Sequence, residues 1–208
     1  MPERPFGADR VSRNDSDLDT LLAEIRACRH CAARLPHAPR PVLQAGRPAR
    51  LGVFGQAPGT RAYESGRPFT DPSGVRLRQW LGVNEDAFYD PARVAVIPMG
   101  FCFPGQDAKG GDLPPRKECA PLWRAPLMAA LPNLETLVLV GAHAQRWHLG
   151  AAAKGSLTDT VANWQAYAPR YFPTPHPSWR NNAWLKKNRW FEAELLPALR
   201  ERVKALVG

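Results

Sequence analysis

LGVFGQAPGTRAYESGRPFTDPSGVRLRQWL, Leu51 to Leu81, decides the fold. A four-residue apolar run, Leu51 to Phe54, breaks into Gly55-Gln56-Ala57-Pro58-Gly59, passes Gly66-Arg67-Pro68-Phe69, and resumes at Ser73-Gly74 with apolar residues at helical spacing. This order is strand, ligand-sized loop, helix. In an open α/β sheet ligands bind at the carboxyl ends of strands, where helix N-termini offer unpaired N–H groups. Such connections usually take about two to six residues, whereas about seventeen positions separate Gln56 from Ser73. The alternative is an ordinary connection between a strand and a helix, but glycines and prolines make this loop tight and fixed, as a pocket wall requires.

Further elements follow on either side. A helix is expected after a cap at Asp15 or Ser16, with Leu18, Leu21, Leu22 and Ile25 on one face, running into Cys28-Arg29-His30-Cys31. Ala32 to Pro48 reads as an extended surface connection. The helix from Ser73 to Leu81 is expected to bury Val75, Leu77, Trp80 and Leu81 and to close at Gly82. Ala87 to Asp90 reads as a turn, and Val94 to Ile97 as a strand covered on both faces. A Gly/Pro-rich loop, Pro104 to Pro115, leads to a helix near Lys117 carrying Cys119, Leu122, Trp123, Leu127 and Met128. Strands at Thr136 to Gly141 and Arg170 to Phe172, short helices at His143 to Leu149 and Val161 to Tyr167, and a helix from Asn182 to Val207 kinked at Pro197 complete the pattern. Alternating strands and helices predict an α/β three-layer sandwich with a small, mostly parallel four-stranded sheet flanked by helices. The loops after strands one, two and four then open on one edge.

At 208 residues the chain suits one domain, 16–208, behind a polar tail, 1–15. No apolar run approaches the roughly 20 residues of a membrane helix, and the N-terminus has no apolar signal core. The protein is therefore expected in the cytoplasm, associated with the nucleoid if it binds DNA, without a membrane partner and as a monomer. A net charge of +9 suits a polyanionic partner, although basicity alone also fits compositional bias. The 22 prolines, about twice the usual ~5%, imply ordered loops between short elements.

The four cysteines form two pairs: Cys28 with Cys31, and Cys102 with Cys119. Disulfides do not suit a chain without a secretion signal. Four thiolates suit an iron–sulfur cluster or tetrahedral zinc, and unrelated buried thiols are the remaining reading. Either metal would staple the N-terminal helix to the loop after strand two, well separated from the pocket.

Together these segments resemble the uracil-DNA glycosylase superfamily, and within it the iron–sulfur class called family 4, from about Cys28 to the C-terminus. GQAPG (Gly55 to Gly59), GRPF (Gly66 to Phe69) and HPS (His176 to Ser178) look like the family's first motif, base-stacking segment and second motif. The cysteine spacing is similar to its cluster ligands. The resemblance implies hydrolysis of the N-glycosidic bond of uracil or another deaminated base flipped out of DNA. It also implies a 4Fe-4S cluster on Cys28, Cys31, Cys102 and Cys119, with zinc the alternative. By the same resemblance Phe69 stacks on the extruded base, His176 donates to the departing base's carbonyl oxygen, and Gln56 orients the water. Ser178 is a candidate DNA contact, and Arg180, Lys186, Lys187 and Arg189, following His176 without an intervening acid, are candidate phosphate contacts, the solvated face of a helix being the other reading. Trp179 is either a wedge for the vacated stack or core packing.

Three departures from the family pattern matter. An acid is usual where Gln56 stands, and an acidic pair where Ala62 and Tyr63 stand. Gln can hold a water but cannot take its proton, so activity is expected to be weak or altered; Asp71 is the nearest candidate carboxylate, with helix capping as its alternative role. The family commonly presents an Asn at the end of strand two, where this chain has Pro98-Met99-Gly100. Met99 and Gly100 are therefore the expected base contacts, through a Met99 side chain beside Phe69 and through backbone groups. A catalytically inactive lesion-binding member of the same fold is the competing reading.

Overall fold

The computed structural model describes residues 8–208, with side chains from residue 17 onward. Four strands, β1 (Leu51–Phe54), β2 (Val94–Val96), β3 (Thr136–Val140) and β4 (Tyr171–Thr174), form one sheet in the order β2-β1-β3-β4. Every pairing is parallel, with Val53 opposite Val96 and Val138, and Val138 opposite Phe172. All four carboxyl ends therefore lie on one edge.

Strand alternation divides the core into two layers. Leu51, Val53, Val94, Val96, Val138 and Val140 face one side, where α3 (Pro72–Leu81), α4 (Glu85–Tyr89), α7 (Leu157–Ala162) and α9 (Leu196–Val207) pack. Phe54, Ala95, Ile97, Leu137 and Leu139 face the other, against α1 (Ala8–Ala27), α5 (Cys119–Ala130) and α6 (Ala142–Leu149). The architecture is the expected α/β three-layer sandwich. Each fully buried Leu, Val or Phe contributes about 1.5–3 kcal/mol, so these layers, and not the loops, carry the stability.

Several boundaries differ from the sequence reading. Helix α1 begins at Ala8, more than a turn before Asp15 or Ser16, so the expected tail gives its second half to a helix; residues 1–7 lie outside the described residues. Val75 is 49% exposed because, two positions from Leu77, it falls on the far side of a 3.6-residue repeat; Leu122 of α5 is also exposed. The expected turn at Ala87 to Asp90 is the end of α4, capped by Asn84. Residues 32–48 are more than a surface connection, since Val42 and Leu43 are buried and Gln44 forms an antiparallel bridge with Val96. That bridge covers the open edge of β2. The last helix is two: α8 (Asn182–Lys187) stops at Asn188, and a π-helical turn, Phe191–Leu195, leads into α9. Pro197 falls in the first turn of α9, directly after the π-helical turn. Among the described residues no helix is long and apolar enough to cross a membrane.

Candidate active site

The carboxyl edge of the sheet carries a cavity of about 670 Å³. The loop after β1 supplies Gln56 and Pro58, and a short helix inside it, α2 (Thr60–Ser65), supplies Arg61. Helix α2 reduces the apparent length of that loop; six residues are too few to show periodicity. Its C-cap, Gly66, takes a left-handed φ of 71°.

Phe69 reaches the cavity from a backbone that is unusual for its type. Its φ is +54°, the left-handed region that costs a bulky residue of order 1–3 kcal/mol. Its carbonyl lies so close to the start of α3 that a Cβ on Gly74 would fall 1.8 Å from it, so only glycine fits at position 74. The Tyr89 hydroxyl donates to the Pro68 and Phe69 carbonyls, each at 2.9 Å, and holds the segment. The Phe69 ring meets Phe88 edge to face at 6.4 Å.

Asp71 lines the cavity and caps α3, its Oδ1 accepting from the Gly74 N–H at 3.3 Å. The capping role weighed for it is therefore real, and the same carboxylate faces His176. His176 enters from the loop after β4 between buried Pro175 and Pro177, and the Asn181 side chain donates to its carbonyl at 2.7 Å. Burial holds the imidazole below its usual range, with the Asp71 and Asp112 carboxylates opposing that shift. The ring is thus neutral at pH 7 and has one N–H to donate. Arg76 of α3 donates to the Ser178 carbonyl at 3.2 Å and to Asn182 Oδ1 at 2.9 Å, tying the first loop's helix to the segment that follows His176.

Gln56, Phe69, Asp71, His176, Ser178, Trp179 and Arg180 all line this one cavity. Trp179 stands 71% exposed there, which excludes core packing for it. Lys186, Lys187 and Arg189 do not line the cavity and are exposed at and after the end of α8.

Residues 44–200 match the family model of the uracil DNA glycosylase superfamily. The chain belongs to that superfamily. A solution NMR structure of a candidate uracil DNA glycosylase from Methanosarcina acetivorans is similar at 14% identity and a TM-score of 0.44, covering 77% of this chain and 97% of that one.

Within this superfamily domain the structure moves two expected contacts. Met99 and Gly100 are not in the cavity: Met99 is buried in the layer under α1 and α5, on the Ile97 side of the strand alternation. The N–H groups of Met99, Gly100 and Phe101 donate to the Gly55 carbonyl, the Gln56 carbonyl and Cys119 Sγ. None of the three remains to read a base, and the residues at the end of β2 that line the cavity are Val96 and Pro98. The sequence reading also missed Arg61, Arg76, Gln106, Asp112 and Asn181 in the lining. Asp112 and Gln106 sit in the Gly/Pro-rich loop after β2, where only hydrogen bonding fixes their position. Gln56 Nε2 donates to the carbonyl of the adjacent Leu113 at 3.3 Å, so that loop docks on the first motif.

The four cysteines, all free, line a second, small cavity of about 20 Å³ with Gly100, Phe101 and Trp123. Burial pushes the Cys102 thiol up to about 11 and that of Cys119 to about 12, with Cys28 and Cys31 adding like charge to both. As the side chains stand, no group of three or more His, Cys, Asp or Glu among the described residues is gathered to hold a metal ion. The donor set fits a soft metal nonetheless: four sulfurs on one cavity wall, with an N–H already donated to one of them. Pro98, just past the end of β2, lines the first cavity, and Gly100, two residues on, lines the second.

Proposed function

We propose that this protein is a DNA glycosylase that hydrolyses the N-glycosidic bond of uracil or another deaminated base extruded from DNA. The observation that carries this reading is the convergence of Gln56, Phe69 and His176, from three separate stretches of chain, on one cavity. Its volume is in the range of ligand sites, about 300–1,000 Å³. Phe69 stacks on the base, and its strained, pinned backbone favours a preset ring. The neutral His176 imidazole donates to the carbonyl oxygen on which charge develops as the base leaves, a type of contact worth about 10²–10³ in rate. Gln56 keeps its Oε1 to orient water, its Nε2 being used on Leu113.

Base selection rests on Pro98, Asn181 and the loop carrying Gln106, because the end of β2 presents no side-chain amide. Trp179 at the rim fills the space the nucleotide leaves, with Arg180, Arg61 and Arg76 near the phosphates; Lys186, Lys187 and Arg189 extend the basic track along α8. Cys28, Cys31, Cys102 and Cys119 are the residues that would hold a 4Fe-4S cluster, with zinc the alternative, tying α1 to the loop after β2 and to α5. The group's contribution there is structural.

Gln56, in place of an acid, favours a second reading, a lesion-binding member that turns over little or not at all. A panel of deaminated bases in single- and double-stranded oligonucleotides separates the two. Release of free base, abolished in His176→Ala, supports the glycosylase. Tight lesion binding with every base left intact supports the binder.

A further inference from the structure

We infer that Asp112, on the loop between β2 and α5, is the carboxylate that takes the proton of the attacking water, in place of the acid missing at Gln56. The inference rests on the glycosylase reading. Asp112 lines the cavity with Gln56 and His176, and its Oδ2 lies against the last glycine of the first motif: a Cβ on Gly59 would sit 3.1 Å from that oxygen. Its Oδ1 is fixed by the Gln106 side chain at 3.2 Å, while Oδ2 has no hydrogen-bond donor among the described residues. One oxygen is anchored and the other is turned to the motif.

The loop does not need this carboxylate to fold. It closes through backbone contacts, Leu113 N–H to the Gly105 carbonyl at 2.9 Å and the bridge between Gln106 and Asp112. Its turn is held by Asp107, whose carboxylate accepts from the Lys109 and Gly111 N–H groups, both at 2.8 Å. Asp71, the other acid on the cavity, is committed to the N-terminus of α3. The bond between Gln56 and Leu113, one residue beyond Asp112, holds the amide that orients water beside the group that would deprotonate it.

The step balances without a co-reactant. The C1′–N bond breaks with its electron pair leaving on the base, whose carbonyl oxygen accepts the His176 hydrogen bond while the imidazole keeps its proton. Water oxygen bonds to C1′ and its proton passes to Asp112, which returns it to solvent. The base anion takes a proton from solvent, so one water is added across the glycosidic bond.

The test is single-turnover excision of whichever lesion the wild type releases, by wild type, Asp112→Asn and the double variant Asp112→Asn with Gln56→Glu. Binding to DNA carrying a tetrahydrofuran abasic-site analogue is measured in parallel. Asn keeps the acceptor for Gln106, so the loop is retained. Asp112→Asn should lower the rate about 10²-fold, at the low end of general-base contributions, with analogue binding unchanged. Restoring a carboxylate at position 56 should recover at least about tenfold. A wild-type rate in Asp112→Asn, or a loss accompanied by weakened analogue binding, overturns the assignment and leaves the glycosylase reading standing. A wild type that releases no base from the panel removes that reading and this assignment with it.

Discussion

The Tyr89 hydroxyl donates to the Phe69 carbonyl at 2.9 Å, from α4 to the loop after β1, and so holds a left-handed phenylalanine in a conformation it would otherwise leave. A net hydrogen bond of about 1 kcal/mol is comparable with the backbone strain it opposes. Tyr89→Phe should therefore lower single-turnover excision about three- to tenfold and the melting temperature by a few degrees. Phe69→Ala should cost more in excision and less in melting temperature. Equal excision by Tyr89→Phe and wild type would show that the ring is preset by packing alone.

His176→Ala should reduce excision about 10²–10³-fold, the usual loss for a preset donor to a developing oxyanion. Because burial depresses the imidazole's proton affinity, the neutral form persists below the ordinary histidine range near pH 6.5. The rate should stay level from pH 8 past 6.5 and fall only at lower pH. A midpoint at or above 6.5 in the pH–rate profile would contradict this.

His148 gives stability a separate acid dependence. Burial first, then Arg124 and Arg170, hold its proton affinity down to about 3; its Nε2 is buried with no hydrogen-bond partner among the described residues, and its ring meets Phe54 edge to face. Between about 6.5 and 3 the unfolded chain binds a proton that the folded chain refuses, so stability is fully present above pH 6.5 and is lost as pH falls. The limiting slope is about 1.4 kcal/mol per pH unit. His148→Phe, which keeps a ring on Phe54, should flatten this slope in denaturant titrations between pH 7 and 4. An unchanged slope would place the acid sensitivity elsewhere.

Removal of one thiol tests the cysteine cavity. Protein purified without air should be coloured and carry iron and acid-labile sulfide, and Cys28→Ser or Cys119→Ser should lose both and melt several degrees lower. Zinc in a colourless protein would assign the site to that ion.

DNA affinity should weaken with salt at about 0.9 log units per log unit of salt for each phosphate neutralised. Arg180→Ala should reduce that slope by about 1, and so should the paired change Lys186→Ala with Lys187→Ala if the exposed end of α8 tracks the backbone. A slope changed by Arg180 alone would confine the DNA to the cavity rim.

Much of this arrangement could be read from residue order, because continuous apolar runs of four or five residues admit few assignments other than buried parallel strands. Once the strands are parallel, Gln56 and His176 must share an edge. Met99 was misread although the signal was present: two-residue alternation puts it with Ala95 and Ile97 on the α5 side and leaves Val96 and Pro98 toward the cavity. Helix α2 offered none, since its N-cap is Gly59 with no side-chain bond and it ends within six residues. The break at Asn188 was equally hidden. Trp184 and Phe191 both pack on the same layer across it, and a π-helical turn changes backbone winding while the apolar spacing continues. Asp112 owes its place to backbone bonds within a loop, which no periodicity reports.

The all-parallel sheet gathers every reactive loop at one rim and leaves the load of folding to the helices beneath. Chemistry and scaffold are thereby made modular: the tip of the loop after β2, residues 107–111 between the bridged Gln106 and Asp112, could be exchanged for one of another length or composition while the strands keep their register. An engineer seeking a different lesion would therefore graft there first and leave the interior untouched.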